Sequence, residues 1–225
     1  MKLTLYDWGP SPFCLKVRFV LEHKKLAYRR QNVLGTSIYT VWKRGGIGKV
    51  PALDIDGELV CDSTDIAHRL EQLQPEPHIL PQSARQRGLC HALEEWADEA
   101  LYWLGIYFQW VDPRGKAMVP QAFGRGLLGR AAFAVYERRI RTQLRGQGTL
   151  RKDPAHVRSD LSRALEAAAA LVHDRPFLLG AEPLLCDFAV ASQLLYVSRT
   201  PVGGELMASL PALAPYLERM RALRS

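Results

Sequence analysis

The apolar pattern of this chain of 225 residues changes character once, and that change constrains the fold more than any other feature. Up to residue 80, short alternating apolar stretches exchange with helical patterns, whereas everything after Pro81 reads as helix. Gln74-Pro75-Glu76-Pro77 and Leu80-Pro81 punctuate the switch, since each proline removes a backbone donor and biases its predecessor away from helix. Two domains are expected: an α/β domain over 1–80, and an all-helical bundle over 84–225.

Lys2 to Tyr6 alternates Leu3 and Leu5 with polar neighbours, which predicts a half-buried strand. Ser11-Pro12 then opens a helix, with a hydroxyl at the N-cap and proline at N1, and Phe13, Val17, Val20 and Leu21 carry it to an end near Lys24-Lys25. Ala27 to Val33 reads as a second strand, parallel to the first through a right-handed crossover. Residues 36–47 are weakly patterned helix or loop. Val50 to Ile55 and Glu58 to Cys61 flank Asp56-Gly57, whose tolerance of positive φ predicts a tight antiparallel hairpin. Asp62-Ser63 precedes a third helix with Ile66, Ala67, Leu70 and Leu73 on one face. Further helices are expected near 83–111, 118–146, 154–173, 184–198 and 211–223, the last with Pro211 near N1 and a buried stripe of Leu213, Leu217 and Met220.

With 48% hydrophobic and 24% charged residues, the chain can bury a core and is neither collagen-like nor disordered. It has no run of 18 uncharged apolar residues, and charge with Gly and Pro arrives too early in MKLTLYDWGPSPF for a secretory leader. A cytoplasmic protein without membrane contact is expected. Cys14, Cys61, Cys90 and Cys186 are scattered and lack metal-ligand spacing, so reduced thiols and no metal are expected. The formal charge of +7 is concentrated between Arg114 and Lys152, and no aromatic-interleaved or groove-reading motif accompanies it. That region reads as a solvated helix face rather than a nucleic-acid site.

Three motifs in order carry a resemblance: Ser11-Pro12-Phe13-Cys14 after the first strand, Lys49-Val50-Pro51 before the hairpin, and Asp62-Ser63 before the third helix. Together they resemble the serine-type glutathione transferases, which join a thioredoxin-like N-terminal domain to an all-helical C-terminal domain. The resemblance implies that Ser11 donates a hydrogen bond to the glutathione sulfur. It implies a cis Val50-Pro51 bond, with the Val50 backbone pairing with the cysteinyl unit. Ser63 would hold the γ-glutamyl carboxylate, Asp62 the α-ammonium, and Lys49 a glutathione carboxylate. Glutathione would be a cosubstrate conjugated to a small hydrophobic electrophile, in a detoxifying homodimer.

The chemistry has its own argument. A free thiol with a pKa of about 8.5 is mostly protonated at neutral pH, and the thiolate is the nucleophile. A hydroxyl donor and the positive end of a helix converge at Ser11, although the residue also reads as a plain N-cap. Cys14 is a rival, because the tetrad also looks like a glutaredoxin CPxC with its first cysteine replaced by serine; this alternative is a glutathione-dependent thiol transferase or peroxidase. Tyr6 is a third candidate, placed where tyrosine-type relatives carry their hydroxyl. A non-catalytic glutathione-binding interaction protein is the remaining alternative.

Trp96, Trp103, Tyr107 and Trp110 fall on one face of the first long helix, and read as core or interface packing. Tyr102, Trp103 and Phe108 are candidates for an apolar wall near Trp8. Asp187 resembles the family's buried capping aspartate. The sequence departs from the family pattern at Leu184-Leu185, where relatives place a Ser or Thr cap, and at Gly45-Gly46, in place of Asn-Pro.

Overall fold

The computed structural model describes residues 1–33, 38–46, 48–124 and 126–223. Strands β1 (Leu3–Asp7), β2 (Arg29–Asn32), β3 (Ala52–Ile55) and β4 (Glu58–Cys61) form one sheet in the order β2-β1-β3-β4. β1 runs parallel to β2 and antiparallel to β3, and β3 pairs antiparallel with β4 around Asp56-Gly57, both at positive φ. This is the expected hairpin. On one face of β1, Leu3 and Leu5 join the main core; on the other, Tyr6 packs with Val33, Val41 and Ala52.

Helix α1 (Pro12–His23) is buried on nearly every side because it lies between the sheet and a second helix layer. Its main partner there is α9 (Leu185–Val197), which is buried at every position and correspondingly apolar all round. Helix α2 (Ile38–Lys43) falls inside the weakly patterned 36–47 stretch, of which residues 36, 37 and 47 lie outside the described residues. Helix α3 (Ser63–Leu73) buries Ile66, Ala67 and Leu70 as its pattern requires.

The helical part comprises α4 (Ala84–Trp96), α5 (Tyr102–Trp110), α6 (Pro113–Met118), α7 (Leu127–Gln147), α8 (Pro154–Leu171), α9, α10 (Pro201–Ala208) and α11 (Leu213–Ala222). The expected 83–111 helix is therefore continuous but not uniformly α: a π-helical turn, Ala97–Leu101, joins α4 to α5. α6 and α10 are short, each opened by a capping residue and a proline, and were not anticipated. The final helix starts at Leu213, so Pro211 lies in the preceding turn rather than near N1; Leu213, Leu217 and Met220 are buried as expected. The basic 114–152 region is partly neutralised, through Arg114 with Glu205, Lys116 with Glu137, and Lys152 with Asp160. No helix among the described residues is long and apolar enough to cross a membrane.

Buried polar groups join the two parts. The Lys24 ammonium, fully buried, donates to the carbonyls of Gln74 (2.7 Å) and Pro77 (3.0 Å) and pairs with Glu71 (2.5 Å), so the connecting segment is wrapped around a charge. Ile79 then accepts a hydrogen bond from the Leu185 N–H at the start of α9. Asp187 compensates for the missing hydroxyl cap: its carboxylate accepts from the N–H of Leu184 (3.0 Å) and of Leu178 (2.8 Å), and from the Tyr216 hydroxyl (3.2 Å). Burial pushes its pKa up to about 6 despite these bonds.

Asp187→Ala leaves the Leu178 and Leu184 N–H groups without an acceptor, the Tyr216 hydroxyl keeping the Asp187 carbonyl, and is expected to cost about 2–3 kcal/mol, read as a lower urea midpoint. Because the folded pKa lies above the unfolded value, the stability contributed by Asp187 is full below pH 3.8 and declines as pH rises through about 6. Asp187→Asn should flatten that decline; an unchanged pH–stability curve would contradict the assignment.

Candidate active site

The three motifs meet at one end of the sheet, and strand register is the reason. Tyr6 on β1 pairs with Ala52 on β3, and Ala52 pairs with Cys61 on β4. Ser11 follows the end of β1, Val50-Pro51 precedes the start of β3, and Asp62-Ser63 follows the end of β4. With strands about 4.8 Å apart, the line from β1 to β4 is about 10 Å long, matching three extended residues.

Ser11 caps α1: its Oγ accepts from the Cys14 N–H at 3.3 Å, and its own N–H donates to the Trp8 carbonyl at 2.9 Å. The residue is 7% exposed, and its side chain also hydrogen-bonds Cys14 in a way that favours the thiolate without overcoming the effect of burial. α1 carries no acidic residue in its first turn, so the positive end of the helix is unopposed there. The Val50-Pro51 bond is cis, as expected, and neither the N–H nor the C=O of Val50 has a partner among the described residues. Lys49 is exposed and without an ion pair among them.

Asp62 caps α3 through a bond from the Thr64 N–H (2.8 Å) and holds φ at +77°, a conformation that strains a residue with a Cβ. Ser63 is 4% exposed, with its N–H and hydroxyl unpartnered among the described residues. A first-turn N–H beside a free hydroxyl is suited to a carboxylate.

The rivals are occupied elsewhere. Cys14 is fully buried, and desolvation pushes its thiol up to about 12 even though the Trp8 N–H approaches the sulfur at 3.4 Å. Tyr6 accepts a hydrogen bond from Arg44 at 2.8 Å; the same guanidinium donates to the Gly57 carbonyl and pairs with Asp54. Because Gly57 lies at the hairpin tip, the Tyr6 hydroxyl is aimed toward the end of the sheet away from Ser11. Among the candidate wall residues, Phe108 belongs to the core at 3% exposure, whereas half-buried Tyr102 packs on Phe13 in the first turn of α1 and on Trp103.

Sequence reasoning missed Lys16. Its buried ammonium sits one turn after Ser11, donating to Thr64 Oγ1 at 3.1 Å and pairing with Glu94 of α4 and with Asp98 of the π-turn, the latter at 2.7 Å. Burial pushes both carboxyls up; the Lys16 charge and its hydrogen bond outweigh this at Glu94, which is held below the usual range, but not at Asp98. A lysine within an apolar helix pattern gives no sign of such a partner set. His91, Glu94 and Glu95 lie close enough together to offer ligand atoms to a metal, but one Glu94 oxygen is already engaged by Lys16 and Thr64.

The family model described as glutathione S-transferase, N-terminal domain, matches residues 5–78, and that for the glutathione S-transferase C-terminal domain matches 94–219. The chain belongs to the glutathione S-transferase family. It is 27% identical to the isoprene-epoxide–glutathione S-transferase of Rhodococcus sp. strain AD45, over 97% of this chain and 98% of that protein. It is 37% identical to the probable maleylacetoacetate isomerase 1 of Drosophila melanogaster over 101 residues, 42% of this chain and less than half (41%) of that protein. Among solved structures, the beta-etherase LigF of Sphingobium sp. strain SYK-6 superposes with a TM-score of 0.73 at 19% identity, over 99% of this chain and 96% of that one. A thioredoxin-like sheet domain followed by a mostly helical domain is the architecture of the family.

Two predictions follow from the burial pattern of this transferase fold. Cys61 is the only cysteine with partial exposure, so a maleimide should modify Cys61 first and leave Cys14 unmodified in the folded protein, as read by peptide mass. Rapid labelling of Cys14 would contradict its burial. Lys16→Met leaves two buried carboxylates without their cation and should cost about 3–5 kcal/mol, with a weaker glutathione complex because Thr64 adjoins Ser63.

Proposed function

We propose that this protein is a glutathione transferase in which Ser11 stabilises the glutathione thiolate for attack on a small hydrophobic electrophile. The observation that supports the reading is the place of the Ser11 hydroxyl, at the N-cap of α1, whose first turn holds no acidic residue, on the same sheet edge as Val50 and Ser63. Val50 presents an N–H and C=O without a partner among the described residues, suited to a peptide added as an extended strand. Ser63, with Asp62 beside it, is suited to the γ-glutamyl carboxylate and α-ammonium, and Lys49 to a second carboxylate.

In this reading residues 1–80 bind glutathione, and residues 84–225 complete the electrophile pocket with Tyr102 and Trp103. No metal participates. Protein groups act by orientation and by electrostatics aimed at the sulfur. The name of the Rhodococcus relative suits an epoxide as the electrophile. A cytoplasmic, detoxifying homodimer with two-fold symmetry belongs to the same reading. Thiol exchange through Cys14 is disfavoured, because a sulfur with no exposed surface cannot form a mixed disulfide without local unfolding.

The test is conjugation of glutathione to an epoxide and to an activated aryl halide, comparing the wild type with Ser11→Ala and Cys14→Ala. A hydrogen bond to a charged group is worth about 1.5–3 kcal/mol, so Ser11→Ala should lower kcat/KM about 10- to 100-fold, while Cys14→Ala should retain activity. Full activity in Ser11→Ala, or its loss in Cys14→Ala alone, would reverse the assignment.

A further inference from the structure

A cavity of about 430 Å³ lies behind the loop that leads into α1, and four arginines line it: Arg18, Arg30, Arg199 and Arg221. Ser11, Val50, Asp62 and Ser63 do not line it, so it is separate from the glutathione groove. Its arginines come from α1, β2, the residues just after α9, and α11, segments that only the folded chain brings together. Leu15 and Leu195 supply an apolar floor, and Gly9 one edge.

Charge in this cavity is poorly balanced. Among the described residues, the acidic side chain that pairs with its arginines is Asp7, 1% exposed, whose carboxylate accepts from Arg18 Nη1 at 3.0 and 2.8 Å and from Arg30 Nε at 2.7 Å. Arg18 also donates to the Gly9 carbonyl at 3.2 Å, while its Nε is buried without a partner. The guanidiniums of Arg199 and Arg221 have neither ion pair nor side-chain hydrogen bond among the described residues. Among the described residues, the four arginines that line the cavity are thus paired with a single carboxylate, with Arg18 buried and Arg30, Arg199 and Arg221 exposed. Arg18, 4% exposed, is fixed by Asp7, while Arg199 and Arg221 keep their guanidiniums accessible at the cavity.

We propose that this cavity is a binding site for a small oxyanion carrying two or more negative charges, a phosphate-bearing or polycarboxylate molecule. Arg199 and Arg221 would engage it through forked N–H pairs, the geometry in which guanidinium matches both carboxylate and phosphate oxygens. Arg18 and Arg30, already held in place by Asp7, supply fixed positive potential beneath it. The apolar floor favours an organic anion over a bare hydrated ion. This site does not depend on the chemistry proposed at Ser11.

The test is calorimetric titration of the full chain with pyrophosphate and, separately, citrate, in the presence of saturating glutathione. Saturable one-to-one binding of at least one probe is expected, weakening as salt is raised. Arg199→Gln with Arg221→Gln should lower its affinity by at least about tenfold. Those two side chains make no ion pair or side-chain hydrogen bond among the described residues, so the variant should melt with the wild type. A control removing the same charge elsewhere, Arg85→Gln with Arg145→Gln, should bind as the wild type does. Binding of pyrophosphate alone identifies a phosphate ligand, and of citrate alone a carboxylate ligand; either sustains the site. Absence of saturable binding by both probes, equal affinity in the Arg199/Arg221 variant, or an equal loss in the control would overturn it.

Discussion

One buried ammonium, that of Lys16, ties together the elements on which the site depends. It lies in α1 just after the Ser11 cap, reaches Thr64 in the first turn of α3, and ends between Glu94 and Asp98 of the helical part. A lysine with no exposure is costly to bury, and becomes tolerable only when its carboxylates and hydroxyl are held at bonding distance. Glu94 and Asp98 stand four residues apart, the spacing that puts two side chains on one face of a helix, so both carboxylates reach the same ammonium. Removing the lysine therefore disturbs the start of two helices and the seam between the two parts at once.

From that arrangement the chemistry is economical. Strand register places the beginnings of α1, β3 and α3 along one edge of the sheet, and each offers hydrogen-bonding groups of a different kind. Ser11 offers a donor near a positive helix end, Val50 an unpaired peptide group, and Ser63 a first-turn N–H with a hydroxyl. On the proposed reading, this line of groups is where glutathione would lie as an added extended strand. Cys14 and Tyr6, the other nucleophile or donor candidates, are withdrawn from this edge by burial and by Arg44 respectively.

Much of this was legible in the sequence because it is local. Asp56-Gly57 specifies a hairpin, Ser11-Pro12 and Asp62-Ser63 specify helix starts, and the prolines from Pro75 to Pro81 specify a break, each through backbone chemistry within a few residues. The ordered motifs then suggested which residues share a site. What was not legible depends on distant segments meeting. Nothing local in the sequence indicates that Lys24 gathers the carbonyls of Gln74 and Pro77, that Arg44 occupies Tyr6, or that Arg18 and Arg221 line one cavity. Pro211 misled for a related reason: proline at N1 and proline in a turn before a helix have the same local appearance, and packing of Leu213 decided where α11 begins.

The central claim is that the fold lowers the thiol pKa of bound glutathione through the Ser11 hydroxyl and the end of α1. Ultraviolet difference absorbance of the enzyme–glutathione complex against pH measures this without any electrophile. The account predicts a thiolate appearing about two units below its free value in the wild type, and nearer the free value in Ser11→Ala; a shift of that size corresponds to about 2.7 kcal/mol. Glutathione that binds tightly but ionises at its free pKa, or an undiminished shift in the variant, would contradict it.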